Sequence, residues 1–264
     1  MRIISWNVNG IRATYNKWEL QKFLDTAQPD IFFMQEIKAT EDKLPSELKN
    51  PHGYEAFYNS AEKPGYAGTA VWVAEPFRKY IHSIQTGFAG DPTANEGRVT
   101  HLILEKDGQV FDIFGIYFPN GGKSEQAWKD KIIFYHEFSK RMDDLRSLGH
   151  IVLWGGDLNC AHQAIDLARP KENDGKIGFH PVERAWLDGR VQDDWHDIWR
   201  EQNPTVVDMY SWWDVITRSR ERNVGWRIDA WWGCAKTFKQ KKGIEYLTEQ
   251  YGSDHCPILI EVDF

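Results

Sequence analysis

Apolar residues in this chain fall into short, dense runs bounded by Gly, Pro, Asn or Asp. Eight such runs are rich in β-branched and aromatic side chains, and each predicts a strand. They are Arg2–Asn7, Asp30–Glu36, Thr69–Val73, Val99–Leu104, Val110–Phe118, Ile151–Trp154, Trp226–Trp232 and Pro257–Val262. Apolar spacings of three and four, the signature of one helix face, occur in Lys17–Ala27 and most clearly in Ser124–Leu148. In the latter, Trp128, Ile132, Tyr135, Phe138 and Met142 form the stripe and Gly149 supplies a stop. Pro181–Leu187 and Asp193–Glu201 carry weaker helical patterns. Many strands with a few interleaved helices predict an α/β fold. Runs such as Ile31-Phe32-Phe33-Met34 need cover on both faces. The expected architecture is therefore a four-layer α/β sandwich, two packed mixed β-sheets flanked by helices. No linker composition or internal repeat divides the chain, so residues 1–264 read as a single domain.

Composition narrows the function classes. Thirty-seven aromatic residues spread over 264 positions exclude disorder, and no apolar run approaches the roughly 20 residues of a membrane span. The opening Met1-Arg2-Ile3-Ile4-Ser5-Trp6 reads as an immediate strand, not a targeting signal. Three widely spaced cysteines (Cys160, Cys234, Cys256) fit neither a disulfide framework nor a Cys-rich zinc site, and point to a reducing compartment. The net charge of −7 argues against a nucleic-acid binder. Residues 218–242 reverse that locally: Arg218, Arg220, Arg222, Arg227, Lys236, Lys239, Lys241 and Lys242 face only Glu221 and Asp229. Such a strip is a candidate polyanion contact.

Chemistry enters where the apolar runs end. The first strand runs into Asn7 and the second into Glu36. The run from Val110 reaches Tyr117 and then Pro119-Asn120, and Ile151–Gly156 runs into Asp157-Leu158-Asn159. The turn Gly252-Ser253-Asp254-His255 precedes the last strand. A single carboxylate past a strand is ordinarily its solvated exit, but loops at strand ends also gather functional groups on one rim. If these ends share a rim, Glu36, Asp157, Asp229 and Asp254 repel one another unless a cation sits among them. An oxygen-rich, thiol-free set favours Mg²⁺, with Mn²⁺ as a substitute. The matching chemistry is metal-assisted phosphoester hydrolysis.

These segments, together, resemble the exonuclease III family of abasic-site (AP) endonucleases, within the endonuclease/exonuclease/phosphatase superfamily. The matching motifs are Ser5–Arg12, Met34–Lys38, Gly65–Ala70, Glu96–Arg98, Tyr117–Gly121, Gly156–Asn159, Gly178–Arg184, Trp226–Asp229 and Gly252–Pro257. They occur in family order over nearly the whole chain. The resemblance implies that Glu36, Asn7 and Asp254 hold the metal, with Asp157, Asn159 and His255 as a second position. It implies that Asp157 activates the attacking water or manages the proton of the leaving 3′ oxygen, oriented by Asn159. His255, paired with Asp229, and Tyr117 would face the scissile phosphate. The implied substrate is double-stranded DNA carrying abasic sites or blocked 3′ ends. It would be cut 5′ to the lesion to leave a 3′-hydroxyl, with 3′→5′ exonuclease and 3′-end cleaning alongside. The implied protein is a monomer of the cytoplasm, associated with the nucleoid, or of the nucleus in a eukaryotic source.

DNA contacts implied in the same way are Arg98, Asn120, Lys123 and Arg220, with Trp212, Trp226 and Ile228 as an apolar wall that admits a flipped, baseless sugar. Trp213 reads as a core aromatic. Strict strand alternation sets Trp226 and Ile228 on the face opposite Asp229, so the strand must end or twist there. The chain departs from common family patterns at Ile37, Asn9, Trp212 and Lys123. Two competing readings are a superfamily phosphatase acting on a small or lipid phosphoester, and a catalytically inactive relative binding RNA or protein. An inactive relative would have lost site acids, and this chain retains Glu36, Asp157, Asn159, Asp229, Asp254 and His255.

Overall fold

Two periodicities build the molecule, one along the strands and one along the helices that cover them. In a computed structural model describing residues 1–264, fourteen strands form. The first seven are β1 (Arg2–Asn7), β2 (Ile31–Gln35), β3 (Tyr54–Asn59), β4 (Thr69–Ala74), β5 (Ile81–Thr86), β6 (Val99–Lys106) and β7 (Gln109–Tyr117). The others are β8 (Ile151–Asp157), β9 (Trp195–Asp197), β10 (Trp212–Trp213), β11 (Gly225–Trp226), β12 (Asp229–Cys234), β13 (Lys241–Tyr246) and β14 (Ile258–Val262). One six-stranded sheet has the order β13-β14-β1-β2-β4-β3 and the other β5-β6-β7-β8-β12-β9, while β10 and β11 make a small ribbon. Only β1/β2 and β7/β8 are parallel pairs; every other neighbour is antiparallel. Each parallel pair needs a crossover, which the helices after β1 and β7 supply.

The sheets pack face to face through Ile3, Ile31, Phe33, Val71 and Val73 of one and Leu102, Phe111, Ile113, Leu153 and Trp231 of the other. Burying each of these larger side chains contributes about 1.5–3 kcal/mol before chain entropy is set against it. The outer face of the first sheet (Ile4, Trp6, Phe32, Met34) is covered by helices Ile11–Asn16 and Glu19–Ala27. That of the second (Phe114, Ile116, Val152, Trp154, Trp232) is covered by helix Glu125–Ser147 through Phe134, Tyr135, Phe138, Met142 and Leu145. Ser124 caps this helix, accepting the Ala127 N–H at 3.1 Å, and Gly149 follows it at φ +82°. The helix–sheet–sheet–helix expectation is met. No helix is long and apolar enough to cross a membrane.

The inter-sheet layer changes character along its length. Inward positions of β1 read Ile3, Ser5, Asn7, those of β2 Ile31, Phe33, Gln35, and those of β8 Ile151, Leu153, Gly155, Asp157. The core is thus apolar at one end, narrows through small and amide side chains, and opens into acids at the other. Gly115 is needed at the narrowing, because a Cβ there would lie 2.1 Å from the Phe33 ring. In the same zone the Gln35 amide donates to Ser5 Oγ at 2.9 Å, which satisfies two buried polar groups.

Three expectations need correction, and three edge strands lie outside the predicted set. Asp193–Glu201 is not one helix: Trp195–Asp197 adds as an edge strand to β12, with Trp232 opposite Asp197, and only Ile198–Gln202 is helical. Lys17–Ala27 starts late, since Trp18 at φ +62° separates two helices. Trp226–Trp232 is interrupted at Arg227-Ile228, so Trp226 belongs to the ribbon and Asp229 opens β12. Edge strands β3, β5 and β13 carry too few buried apolar residues to stand out in the pattern.

Candidate active site

The two parallel pairs bring their carboxyl ends to one rim. Asn7 pairs with Gln35 across β1/β2, and Tyr117 with Asp157 across β7/β8; Asp229 lies opposite Asp157 across the antiparallel β8/β12. Asn7, fully buried, spans the seam between sheets: its Nδ2 donates to Glu36 Oε1 and to Asp157 Oδ2, both at 2.9 Å. Glu36 and Asn159 sit one and two residues past their strands in the left-handed region, at φ +50° and +49°. Non-glycine residues there carry strain, which a surrounding structure must hold in place.

Charges converge on a cavity of about 310 Å³ lined by Glu36, Tyr117, Asp157, Asn159, Asp254 and His255 among others. Ligand atoms of Glu36, Asp157 and His255 all lie within 4.8 Å of one another. Two larger grooves, of about 810 and 800 Å³, flank helix Glu19–Ala27 but hold no such cluster. Burial by itself raises the Glu36 carboxyl, yet the Asn7 amide and the Lys38 ammonium, 2.8 Å away, hold it below its ordinary value. Asp157 has no ammonium beside it, and its nearest cation is the His255 imidazole, Nε2 at 3.8 Å from Oδ2. Burial, with Asp229 and Glu36 nearby, pushes it up to about 7 against the pull of His255. Burial disfavours the His255 imidazolium, but Asp229 Oδ2 at 2.7 Å from Nδ1, and Asp157 Oδ2 at 3.8 Å from Nε2, raise it to about 10. The imidazole is therefore charged at neutral pH. Tyr117 is raised well above its usual value by burial and the neighbouring carboxylates, so its phenol stays a donor.

The supporting bonds are local. Asp157 Oδ1 accepts the Asn159 N–H at 2.8 Å, and Asn159 Nδ2 donates to the Phe118 carbonyl at 2.8 Å. Asn120 Nδ2 donates to Asn159 Oδ1 at 3.1 Å. Ser211 Oγ accepts the Ile228 and Asp229 N–H groups at 3.0 and 2.9 Å, fixing the start of β12. Asp254 lines the same cavity outside the compact triad: Asn9 Nδ2 donates to one oxygen at 2.9 Å and Trp212 Nε1 to the other at 3.1 Å. Burial raises its carboxyl, but the charge of His255, followed by these two donors, holds it below its ordinary value. The expected first and second metal sets are thus not separate clusters. Ser211 and Lys38 were not singled out from the sequence. Lys38, two residues past Glu36, was the more visible of the two.

The three apolar residues come together. Trp212, Trp226 and Ile228 border the cavity, and the two indoles meet edge-on at 6.5 Å. The strand break at Arg227-Ile228 is what lets them share a site with Asp229. Trp213 is a core aromatic. Several cations are placed otherwise than expected. Arg98 is 3% exposed, pairs with Glu96 and donates to the Tyr117 and Phe118 carbonyls, so it is unavailable to a ligand. Arg220 spends its donors on the Thr248, Gln250 and Ser253 carbonyls and stacks on Trp213 and Tyr251, bracing the loop before Asp254. Arg227 is buried between Asp166 and Asp197. Lys236, Lys239, Lys241 and Lys242 follow the end of β12 opposite Asp229. The basic strip of the sequence is therefore not one surface. Lys123 is exposed near the cavity, its Nζ 2.7 Å from the Tyr66 hydroxyl.

Comparison with known proteins agrees with this arrangement. Residues 4–255 match the Endonuclease/Exonuclease/phosphatase family. The chain belongs to that family. Its relatives include an exodeoxyribonuclease of Bacillus subtilis, 32% identical over 98% of both chains. A DNA-(apurinic or apyrimidinic site) endonuclease of Dictyostelium discoideum is also 32% identical, over all of this chain and 71% of that one. Among solved structures, the AP endonuclease of Leishmania major superposes with a TM-score of 0.88 at 25% identity, covering 98% of this chain and 86% of that one. The resemblance to exonuclease III and AP endonucleases seen in the motifs is borne out along nearly all of this chain.

Proposed function

We propose that this protein is a metal-dependent DNA repair nuclease. It hydrolyses the phosphodiester 5′ to an abasic site to leave a 3′-hydroxyl, and the same site trims blocked 3′ ends and releases 3′ nucleotides. The observation that carries this reading is the convergence of Asn7, Glu36, Asp157, Asp229 and His255 from both sheets on one cavity. The atoms placed to hold an ion are mainly carboxylate oxygens, those of Glu36 and Asp157 beside one His255 nitrogen, with Asp254 adding a carboxylate to the same cavity. That chemistry fits Mg²⁺, with Mn²⁺ in its place, better than zinc. Bound there, the ion would neutralise the acids and polarise a phosphate oxygen.

The chain's own groups do the rest. Asn7 orients Glu36 and Asp157 together. Asp157, oriented by the Asn7 amide and the Asn159 N–H, accepts the proton of the attacking water. The His255 imidazolium, held by Asp229, and the Tyr117 phenol stabilise charge building on the phosphoryl oxygens. Asn120 and Asn159 fix the far wall, and Trp212, Trp226 and Ile228 admit a sugar without a base. The partner is double-stranded DNA gripped by one 1–264 domain acting as a monomer in the cytoplasm or nucleus. The full acid set favours this over an inactive relative.

The test uses a duplex with one abasic analogue, with Mg²⁺ or with chelator. Incision 5′ to the lesion is expected only with the metal, and Asp157→Asn lowers the rate by about 10²–10⁴-fold. Undiminished incision in chelator, or in that variant, overturns the reading.

A further inference from the structure

One charged pair outside the residues assigned above has no contact with solvent. Lys131, in the second turn of helix Glu125–Ser147, and Glu183, in the first turn of helix Pro181–Gln192, are both 0% exposed, with Nζ 2.5 Å from Oε1. Removing two charges from water is costly, and a packed apolar pair is frequently as stable, so the pair calls for a reason other than stability. Its hydrogen bonds supply one. An ammonium has three donors. Beside its ion pair with Glu183, Lys131 Nζ donates to the backbone carbonyls of Asn159 at 3.0 Å and Asn120 at 3.3 Å. Glu183 Oε2 accepts the N–H groups of Gly178 at 2.7 Å and His180 at 3.0 Å. Asn120, Asn159 and Gly178 all line the catalytic cavity. They come from three loops: those of Asn120 and Asn159 leave the paired strand ends Tyr117 and Asp157, and that of Gly178 is tied to them through the Ala161 N–H, which donates to the Gly178 carbonyl at 2.8 Å. Gly178 sits against the Trp226 ring, where a Cβ would approach to 3.3 Å, and Gly121 lies over the Lys131 stem.

We propose that Lys131 and Glu183 are positioning residues that set the spacing of the far cavity wall. The ammonium draws the Asn120 and Asn159 loops together, and the carboxylate seats the Gly178 loop against Trp226. The charges serve because four backbone groups from three loops need one common anchor. This rests on the proposed phosphodiesterase reading for its catalytic consequence, and not for its structural one.

The test is the double variant Lys131→Met with Glu183→Gln, which removes both charges and so avoids leaving one ion buried alone. Two measurements are made on the full-length protein. In amide hydrogen exchange followed by mass spectrometry, we expect faster exchange in segments 119–122, 158–161 and 176–180, with the two sheets unchanged. In abasic-duplex incision with Mg²⁺, we expect kcat to fall tenfold or more while KM changes less than threefold. A folded variant with wild-type loop exchange and wild-type kcat overturns the proposal. So does a variant that fails to fold, or one whose exchange rises throughout both sheets, since the pair is then a general stabiliser. Absence of incision by the wild type itself sinks the functional reading instead, and the exchange comparison still decides the anchor.

Discussion

His255 and Asp229 show how one residue's chemistry is set by a neighbour. The imidazole is pushed up to about 10 because Asp229 and Asp157 outweigh burial. A group raised above its unfolded value contributes stability fully below pH 6.5, and loses it as pH rises through about 10. In chelator, the wild-type thermal midpoint should therefore decline between those limits more steeply than that of Asp229→Asn. Equal slopes would mean that Asp229 does not hold the proton. The wall residues give a second expectation: Trp226→Ala opens the cavity and should lower the ratio of abasic to intact-nucleotide incision. Rates measured on paired duplexes check this, and an unchanged ratio would assign selection elsewhere.

At the scale of elements, ion pairs behind the site decide whether β12 begins correctly. Asp166 accepts from Arg227 Nε at 2.7 Å and Arg200 Nη2 at 2.6 Å, and Asp197 accepts from Arg227 Nη2 at 2.6 Å. Burial raises Asp166, but the two guanidinium groups prevail and bring it down to about 2. Its contribution is complete above pH 3.8 and is lost as pH falls toward 2. Asp166→Asn leaves two buried guanidiniums short of an anion and should cost about 3–5 kcal/mol, measured by urea unfolding at neutral pH. A change under 1 kcal/mol would remove the network from the account of β12. The sheets and most of the site were legible in the chain because the apolar runs stop abruptly at Asn7, Glu36, Tyr117 and Asp157. The edges were not: Lys241-Lys242-Gly243 forms a strand only because β14 offers it a partner. Nor was the fate of the arginines. Arg98, Arg220 and Arg227 look like surface charge in sequence, and only their distant carbonyl and carboxylate partners turn them into internal braces.

For the whole molecule, dissolving the basic strip changes what grips DNA. Lys239 and Lys242 are exposed but follow the end of β12 remote from Asp229. Their replacement by Glu should leave the salt dependence of duplex binding unaltered. Lys123→Ala should reduce the slope of log K against log salt by about 1, as loss of a single phosphate contact does. Filter binding across a salt series separates the two, and the opposite pattern would relocate the footprint.

Each sheet is stitched internally by backbone hydrogen bonds, whereas the two meet through side chains, and the Asn7 amide alone links Glu36 to Asp157 across the join. The join thus carries the reacting groups at its polar end, where Thr69 Oγ1 also meets Thr100 Oγ1 at 2.7 Å, and Leu153 in its apolar part. A cavity cut in that apolar part, as in Leu153→Ala, should loosen the alignment of the reacting groups. Incision would then fail on heating several degrees before the protein melts, which parallel activity and circular-dichroism scans would reveal. Catalytic tolerance to temperature would in that case be governed by apolar packing farther along the same inter-sheet layer that carries Asp157.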